Sequence, residues 1–182
     1  MKKIALLTIL LLSIFSAKAQ NQNLEKNVLG LQVGLFGLDI YNESRLSENI
    51  ALRSEVSFFP EMWGGDLYEK TGFAVIPALT IQPKYYYNIQ KRAEKGKNIK
   101  NNSANYFGLQ LRYLPDLFVI SNSDYRVSNQ IHVIPTFGIR RNFSKNFNYE
   151  FKTGVGYGST FGYDKNDSGV VIDLSFKVGF DF

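Results

Sequence analysis

The C-terminal segment constrains the fold more than any other part of the chain. Val170, Ile172, Leu174, Phe176, Val178, Phe180 and Phe182 alternate with Val171, Asp173, Ser175, Lys177, Gly179 and Asp181. A period of two puts successive side chains on opposite faces of a β-strand. One face is apolar and needs lipid or a packed core; the other is polar and needs water or a polar interior.

The same alternation recurs along the chain. Leu29, Leu31, Val33 and Leu35 alternate with Gly30, Gln32 and Gly34, and beyond Gly37 the apolar Leu38 and Ile40 oppose Asp39, Tyr41, Glu43 and Arg45. Leu52, Val56 and Phe58 oppose Arg53, Glu55 and Ser57; Val75, Leu79, Ile81, Tyr85 and Tyr87 oppose Ala78, Thr80, Gln82, Lys84 and Tyr86. Phe107, Leu109, Leu111 and Tyr113 oppose Tyr106, Gly108, Gln110 and Arg112; Ile131, Val133, Phe137 and Ile139 oppose His132, Thr136 and Arg140. Tyr149, Phe151, Val155 and Tyr157 oppose Glu150, Lys152, Gly154, Gly156 and Gly158. With a break at Phe36-Gly37 this makes eight strands, the even number expected of a bacterial single-chain barrel. The reading is an all-β, eight-stranded antiparallel up-and-down transmembrane β-barrel.

The N-terminal end has a different character. Lys2 and Lys3 precede an apolar run from Ile4 to Phe15, and Ala17-Lys18-Ala19 lies before Gln20. This is the form of a secretory signal peptide with a small-x-small cleavage site, and the run is too short to span a bilayer. The expected organisation is a signal peptide over 1–19, cleaved near Ala19, and one barrel domain over 20–182. The formal charge of +5 includes Lys2, Lys3 and Lys18, and no acidic residue precedes Gln20, so the exported part carries +2. So small an excess gives no ground for expecting nucleic acid as a partner. With no cysteine, an exported chain has neither a lipid-anchoring thiol nor a disulfide framework.

Sidedness follows from a downward last strand. Ser47 to Asn49, Lys91 to Asn102 and Ser144 to Asn146 would be periplasmic turns. Residues 60–71, with Trp63 and Tyr68, 119–129 and 162–168 would be external loops and the contact surfaces. The Lys91 to Asn102 segment is basic and long for a periplasmic turn; it reads first as a solvated turn with a surplus of lysine, the alternative being that its positive charge meets acidic lipid headgroups or a periplasmic partner. Pro77, Pro83 and Pro135 fall inside strands of a fold without edges; Pro77 and Pro135 each follow a Val-Ile pair and read as matching bulges.

The polar face carries the chemistry. It gathers Asp39, Glu43, Glu55, Glu150, Asp173 and Asp181 against Arg45, Arg53, Lys84, Arg112, Arg140, Lys152 and Lys177, with His132 among them. Eight strands enclose a space that side chains can just fill, and an unpaired charge there is costly. The near balance of signs predicts a pairing network that plugs the lumen. No enzyme activity is expected: His132 is the only histidine, Thr136 shares its face, and no pattern ties a serine to it. No metal site or cofactor is expected either, since cysteine is absent and no compact carboxylate cluster has ligand spacing. Gly154, Gly156 and Gly158 alternate with Val155 and Tyr157 in a strand, so they read as room for a large neighbour such as Tyr106, or as points of curvature, rather than as a phosphate loop.

The Ala19-Gln20 signal end, Asn42-Glu43, Leu52-Arg53-Ser54-Glu55, Pro83-Lys84-Tyr85-Tyr86-Tyr87-Asn88 with Lys91-Arg92, and the terminal Phe180-Asp181-Phe182 together resemble small outer-membrane β-barrels of Gram-negative bacteria, the OmpA-, OmpW- and PorT-like group. The resemblance implies insertion by the outer-membrane assembly machinery, which would read Phe176, Val178, Phe180 and Phe182 of the last strand. Outer-membrane lipid is then the main partner, met by aromatic girdles that include Tyr85, Tyr87, Tyr113 and Tyr149. It carries over no catalytic residue. The leading expectation is a structural, adhesive or interaction role through the external loops, with a possible surface ligand there. The alternatives are OmpW-like passage or binding of small solutes, and a soluble lipocalin-like periplasmic binder, whose charged set would face water instead of the interior.

Overall fold

The structure is a computed structural model that describes residues 24–35, 37–63, 72–117, 120–121, 128–162 and 167–182. The expected signal peptide over 1–19 and most of the expected external loops, with Tyr68, lie outside the described residues.

Eight strands form a single antiparallel ring: β1 (Asn27–Gly34), β2 (Gly37–Arg45), β3 (Ile50–Trp63), β4 (Gly72–Tyr85), β5 (Asn105–Leu114), β6 (Asn129–Asn142), β7 (Phe147–Phe161) and β8 (Asp167–Asp181). Each pairs with the next, and β8 returns to β1 through Gly30↔Asp181 to Gly34↔Lys177, which closes the barrel. The break at Phe36-Gly37 is real: β1 and β2 pair down to Gly34↔Gly37 as a short hairpin. Beyond Leu114, β5 leaves β4 at Pro115 and meets it again only as a two-residue bridge, where Ile120 and Ser121 oppose Val75 and Ala74.

Alternation sets the faces as read. On β8, Asp173, Ser175, Lys177 and Asp181 are buried, while Ile172 is 73% exposed and Leu174, Phe176, Val178 and Phe180 also face out. The outer surface is apolar around the ring, through Leu29, Ile40, Val56, Leu79, Leu109, Val133, Val155 and Ile172. No described helix is long and apolar enough to cross a membrane.

Four expectations need correction. Residues 60–63 belong to β3, paired through Pro60↔Val75 to Trp63↔Gly72, so the loop starts later than residue 60. Pro83 and Pro135 mark no bulge: register is constant through Pro77 and Pro83 of β4 against β3 and through Pro135 of β6 against β5. Toward β5 the register shifts by three residues across Pro77, from Leu79↔Tyr113 to Val75↔Ile120, so Pro77 and Pro135 do not match. Bridging lapses at Pro83 toward β5 and at Pro135 toward β7. Each of those two missing donors therefore faces a stretch where the ladder is already interrupted.

The third correction concerns Lys91 to Asn102, which is not a solvated turn. A short helix α1 (Ile89–Glu94) and a single 3-10 turn (Lys100–Asn102) fold across the end of the barrel that holds both chain ends. Ile89 is fully buried with Leu24, Ala51, Tyr86, Ala104 and Tyr106, and Ile99 packs against them. The only two large aliphatic side chains of a basic, polar stretch pin it down, and their burial offsets the ordering of the segment. Asn101 and Asn102 adopt positive φ of 50° and 60°, a region that asparagine tolerates better than most residues.

Tyr106 finds its space at Gly138, not at Gly154, Gly156 or Gly158. A Cβ on Gly138 would stand 2.1 Å from the Tyr106 ring. Cβ atoms on Gly154 and Gly156 would meet the backbone oxygens of Pro135 and Val133 at 2.5 and 2.1 Å, so these glycines let β7 lie close over the interrupted part of β6. Gly138→Val should cost about 1–3 kcal/mol through overpacking, read as a lower urea midpoint of the refolded barrel. Gly169→Ala, with nothing within 4 Å of the added methyl group, should leave the midpoint unchanged.

Candidate functional site: the charged lumen

The inward positions of all eight strands meet along the barrel axis. Glu150, on β7, is the most heavily bonded group. Its Oε2 accepts from Arg53 Nη1 and Arg140 Nη1, both at 3.1 Å, and from Gln32 Nε2 at 3.2 Å. Its Oε1 accepts from Lys84 Nζ at 3.0 Å and from the Tyr106 hydroxyl. Those five donors come from β1, β3, β4, β5 and β6. Lys84 Nζ also lies 4.2 Å over the Tyr106 ring.

Below this hub, Asp181 accepts from Arg140 Nη2 at 2.7 and 2.9 Å, from the Tyr41 hydroxyl, and from Asn101 Nδ2 at 2.9 Å. Glu43 Oε1 accepts from Asn102 Nδ2 and from the Tyr86 hydroxyl, both at 2.6 Å, and Glu43 Oε2 lies 3.2 Å from Lys84 Nζ. Burial pushes the Tyr86 phenol well above its ordinary range, so it stays protonated and donates. Arg53 stacks 3.7 Å over the Tyr41 ring and donates to Glu55 Oε2 at 2.7 Å and Gln32 Oε1 at 2.6 Å.

Above the hub, Lys177 pairs with Asp39. Lys152 Nζ donates to Gln110 Oε1 at 2.6 Å and lies 3.3 Å from Asp173, which also accepts from Gln110 at 2.8 Å and Arg112 at 3.0 Å. The buried cations Arg53, Lys84, Arg140, Lys152 and Lys177 with the nearly buried Arg112 make six positive groups; Asp39, Glu43, Glu55, Glu150, Asp173 and Asp181 make six negative ones.

Two of the sequence-predicted lumen residues stand outside this set. Arg45 is at the rim and donates to the Leu24 carbonyl at 2.9 Å. Among the described residues the His132 side chain bonds Gln130 alone, at 3.1 Å, and Thr136 accepts from Gln82 at 2.8 Å and donates to the Gly108 carbonyl at 3.2 Å, so no hydrogen bond joins His132 to Thr136. Phe176, Val178, Phe180 and Phe182, the residues expected to form an assembly signal, all face outward; Phe180 contacts Phe147 at 5.2 Å and Phe182 at 5.4 Å, and Phe176 contacts Tyr149 at 6.2 Å between ring centroids.

Sequence reasoning missed Tyr41, Tyr86, Gln32, Gln110, Asn101 and Asn102 as members. Parity along the strands already placed Tyr41, Tyr86, Gln32 and Gln110 on the inward face; a search restricted to charges passed over them. Nothing in the pattern marked the two asparagines, which enter from the segment that crosses the end.

Space inside the lumen is uneven. Around Gln32, Arg53, Glu55, Gln82, Glu150, Lys152, Ser175 and Lys177 the free volume is about 10 Å³, room for at most a single water. Nearer the end opposite the chain termini, a cavity of about 320 Å³ is lined by Phe59, Arg112, Ile172, Asp173, Leu174, Ser175 and Lys177. Arg112 lies 4.8 Å over the Phe59 ring there.

These features define a class: a closed eight-stranded up-and-down β-barrel with charge inside and apolar side chains outside. No family model and no curated protein matches the chain. Among solved structures it is similar to the crystal structure of CarO2 from Acinetobacter baumannii, at 11% sequence identity and a TM-score of 0.47, over 86% of this chain and 98% of that one.

Replacing Glu150 with Gln should leave Arg53, Lys84 and Arg140 short of a buried counter-charge and cost about 3–5 kcal/mol, the scale for breaking a buried pair. Adding Lys84→Met should return part of that loss in a double-mutant cycle of urea unfolding. Strictly additive effects of the two substitutions would contradict the hub.

Proposed function

We propose that the chain is an integral outer-membrane β-barrel whose lumen is sealed by its charge network and whose role is played by the loops at the end opposite the termini. The observation that carries this reading is the inverted polarity. A soluble barrel cannot leave Ile172 at 73% and Val155 at 61% exposure, with similar neighbours on every strand, while burying eleven charged side chains. In lipid the same arrangement is favourable, because a closed ring pairs the backbone groups of its strands and offers the bilayer a mainly apolar surface. These faces are the reverse of those that a lipocalin-like binder requires.

Aromatic rings sit where girdles would. Tyr87, Phe107 and Phe137 form one chain of contacts at 5.2 and 5.5 Å near the termini, and Tyr113 stacks on Phe161 at 6.5 Å toward the other end. The strands also have unequal reach: β1 and β2 have 8 and 9 residues, whereas β3, β4 and β6 have 14 and β7 and β8 have 15. About 9 to 11 residues cross a bilayer, so the long strands extend past it and carry their loops clear of the surface. The 320 Å³ cavity supports a second reading, binding of a small solute in the open upper lumen.

The test is fractionation of the expressed protein, with gel mobility compared before and after boiling. The expected outcome is detergent-dependent extraction from the outer membrane and a faster band in the unboiled sample. A freely soluble protein without a mobility shift overturns the membrane reading. Reconstituted in planar bilayers, the barrel should show no stable ohmic conductance, since the lumen narrows to about 10 Å³ of free space around the hub.

A further inference from the structure

Besides Arg45 at the rim, Arg92 and Arg141 stand apart from the paired charges of the lumen among the described residues. Arg92, on α1, donates Nε to the Ser103 carbonyl at 2.8 Å and Nη2 to the Asn98 carbonyl at 2.9 Å. Arg141, on the outer face at the end of β6, donates Nη1 to the Arg140 carbonyl at 2.7 Å and Nη2 to Asn105 Oδ1 at 2.5 Å. Ser103 Oγ accepts from the Asn142 amide, and Asn98 Nδ2 donates to the Asn142 carbonyl, each at 3.0 Å. The segment bearing Arg92 is thus tied to β6 at Asn142, the residue next to Arg141, so the two arginines stand on one rim.

Neither arginine has a carboxylate partner among the described residues; all four of their hydrogen bonds go to neutral oxygens. A guanidinium has five N–H donors, so each keeps donors free. Both side chains are half-buried. Lys91, Lys95, Lys97 and Lys100 are exposed on the same segment, and Glu94 is the only acidic residue between Ile89 and Ala104. Every charge in the lumen is compensated, yet this pair is left with like charges together. The missing counter-charge points to an anion.

The surroundings say what kind of anion. Tyr149 pairs with Arg141 across β6 and β7, and Tyr87 shares Asn105 with Arg141 as a hydrogen-bond partner. Tyr87 accepts from Asn105 Nδ2 at 3.0 Å, which fixes the phenol at the rim. From there aromatic rings continue along the outer face, through Phe107 and Phe137 on one side and from Tyr149 to Phe176 on the other. A free inorganic anion would have no use for such a track; an acyl chain would lie along it, with its phosphate at the guanidinium groups.

We propose that Arg92 and Arg141 hold the headgroup phosphate of an anionic phospholipid, from the leaflet that meets the terminal end of the barrel, between the rims formed by Tyr87 and Tyr149. The site rests on the membrane reading of the fold. No covalent step is involved: the ligand is bound by charge-assisted hydrogen bonds and by contact of its acyl chain with the aromatic rings.

The test is native mass spectrometry of the full exported chain, refolded in an uncharged maltoside detergent, with phosphatidylglycerol, phosphatidylcholine or inorganic phosphate added in turn. The expected result is retention of phosphatidylglycerol well above the other two, and a loss of apparent affinity of roughly tenfold or more in Arg92→Gln/Arg141→Gln, the scale for removing two charge-assisted bonds. Lys97→Gln, an exposed charge outside the pair, should change it little. Equal retention of both lipids, equal retention of inorganic phosphate, or unchanged binding in the double variant overturns the proposal. If the double variant does not refold, Arg141→Gln and Arg92→Gln are read singly, and each must weaken phosphatidylglycerol selectively. A heat-modifiable band from the same preparations separates the two failures: a folded barrel without lipid preference rejects the site alone, whereas a soluble chain rejects the membrane reading as well.

Discussion

The carboxylate of Glu150 takes five donors from five different strands, in a space with about 10 Å³ of free volume around it. Eight strands make a ring too narrow for a water column, so each charge facing inward must find its partner in another side chain. That requirement is stronger than the requirement for polarity, because desolvation costs several kcal/mol per ion and only well-placed opposite charges offset it. The balance of six positive and six negative groups therefore has a physical cause. It also fixes pairing. Slipping one strand by one residue would turn its charged face to the outside and its apolar face to the axis, so the hub and the ladder support one register together.

Closure at the terminal end follows from the same demand. Glu43 and Asp181 are the carboxylates nearest that end, where an open mouth would leave them facing water. Asn102 and Asn101 reach them instead, at 2.6 and 2.9 Å, and the carbonyl of Asn101 accepts from Arg140 Nε at 2.9 Å. The connection between β4 and β5 is thus an internal part of the polar network as well as a cover over it. Its two consecutive positive-φ asparagines place both side chains inward from one turn. The lysines on its outer side face away from the axis, which sends unpaired positive charge to the rim and keeps it out of the lumen.

How much of this was legible depended on whether a periodic signal existed. Period-two alternation is strict on the strands, and it placed Asp39, Arg53, Lys84, Glu150, Asp173 and Lys177 on one face because a strand has only two faces. The hairpin break at Phe36-Gly37 was legible for the same reason. The segment from Ile89 to Asn102 was not, since six helical residues and a single 3-10 turn contain too few positions to show a period. Its polar composition describes the side that faces water and conceals Ile89 and Ile99. The glycine that admits Tyr106 was also hidden. Gly138 lies on β6, the strand paired with Tyr106, whereas the run at Gly154, Gly156 and Gly158 drew attention by its regularity. Which residues oppose one another across strands depends on register, and register is absent from a linear pattern.

The two ends of the barrel differ in kind. Toward the termini the lumen is packed, closed by its own chain and surrounded by aromatic rings; toward the other end it widens to about 320 Å³ beneath strands of 14 and 15 residues. Packing that satisfies every charge leaves little freedom to change, so the lower lumen suits anchoring. Among the described residues, buried side-chain atoms without a hydrogen bond occur at both ends, Arg112 Nε and His132 Nδ1 above and Asn49 Oδ1 and Asn142 Nδ2 below. The two halves differ in room rather than in how completely their polar groups are bonded, and the room is in the upper lumen. A ligand drawn there would meet Arg112 over the Phe59 ring before it met the hub, and the paired carboxylates below would stop it from going further.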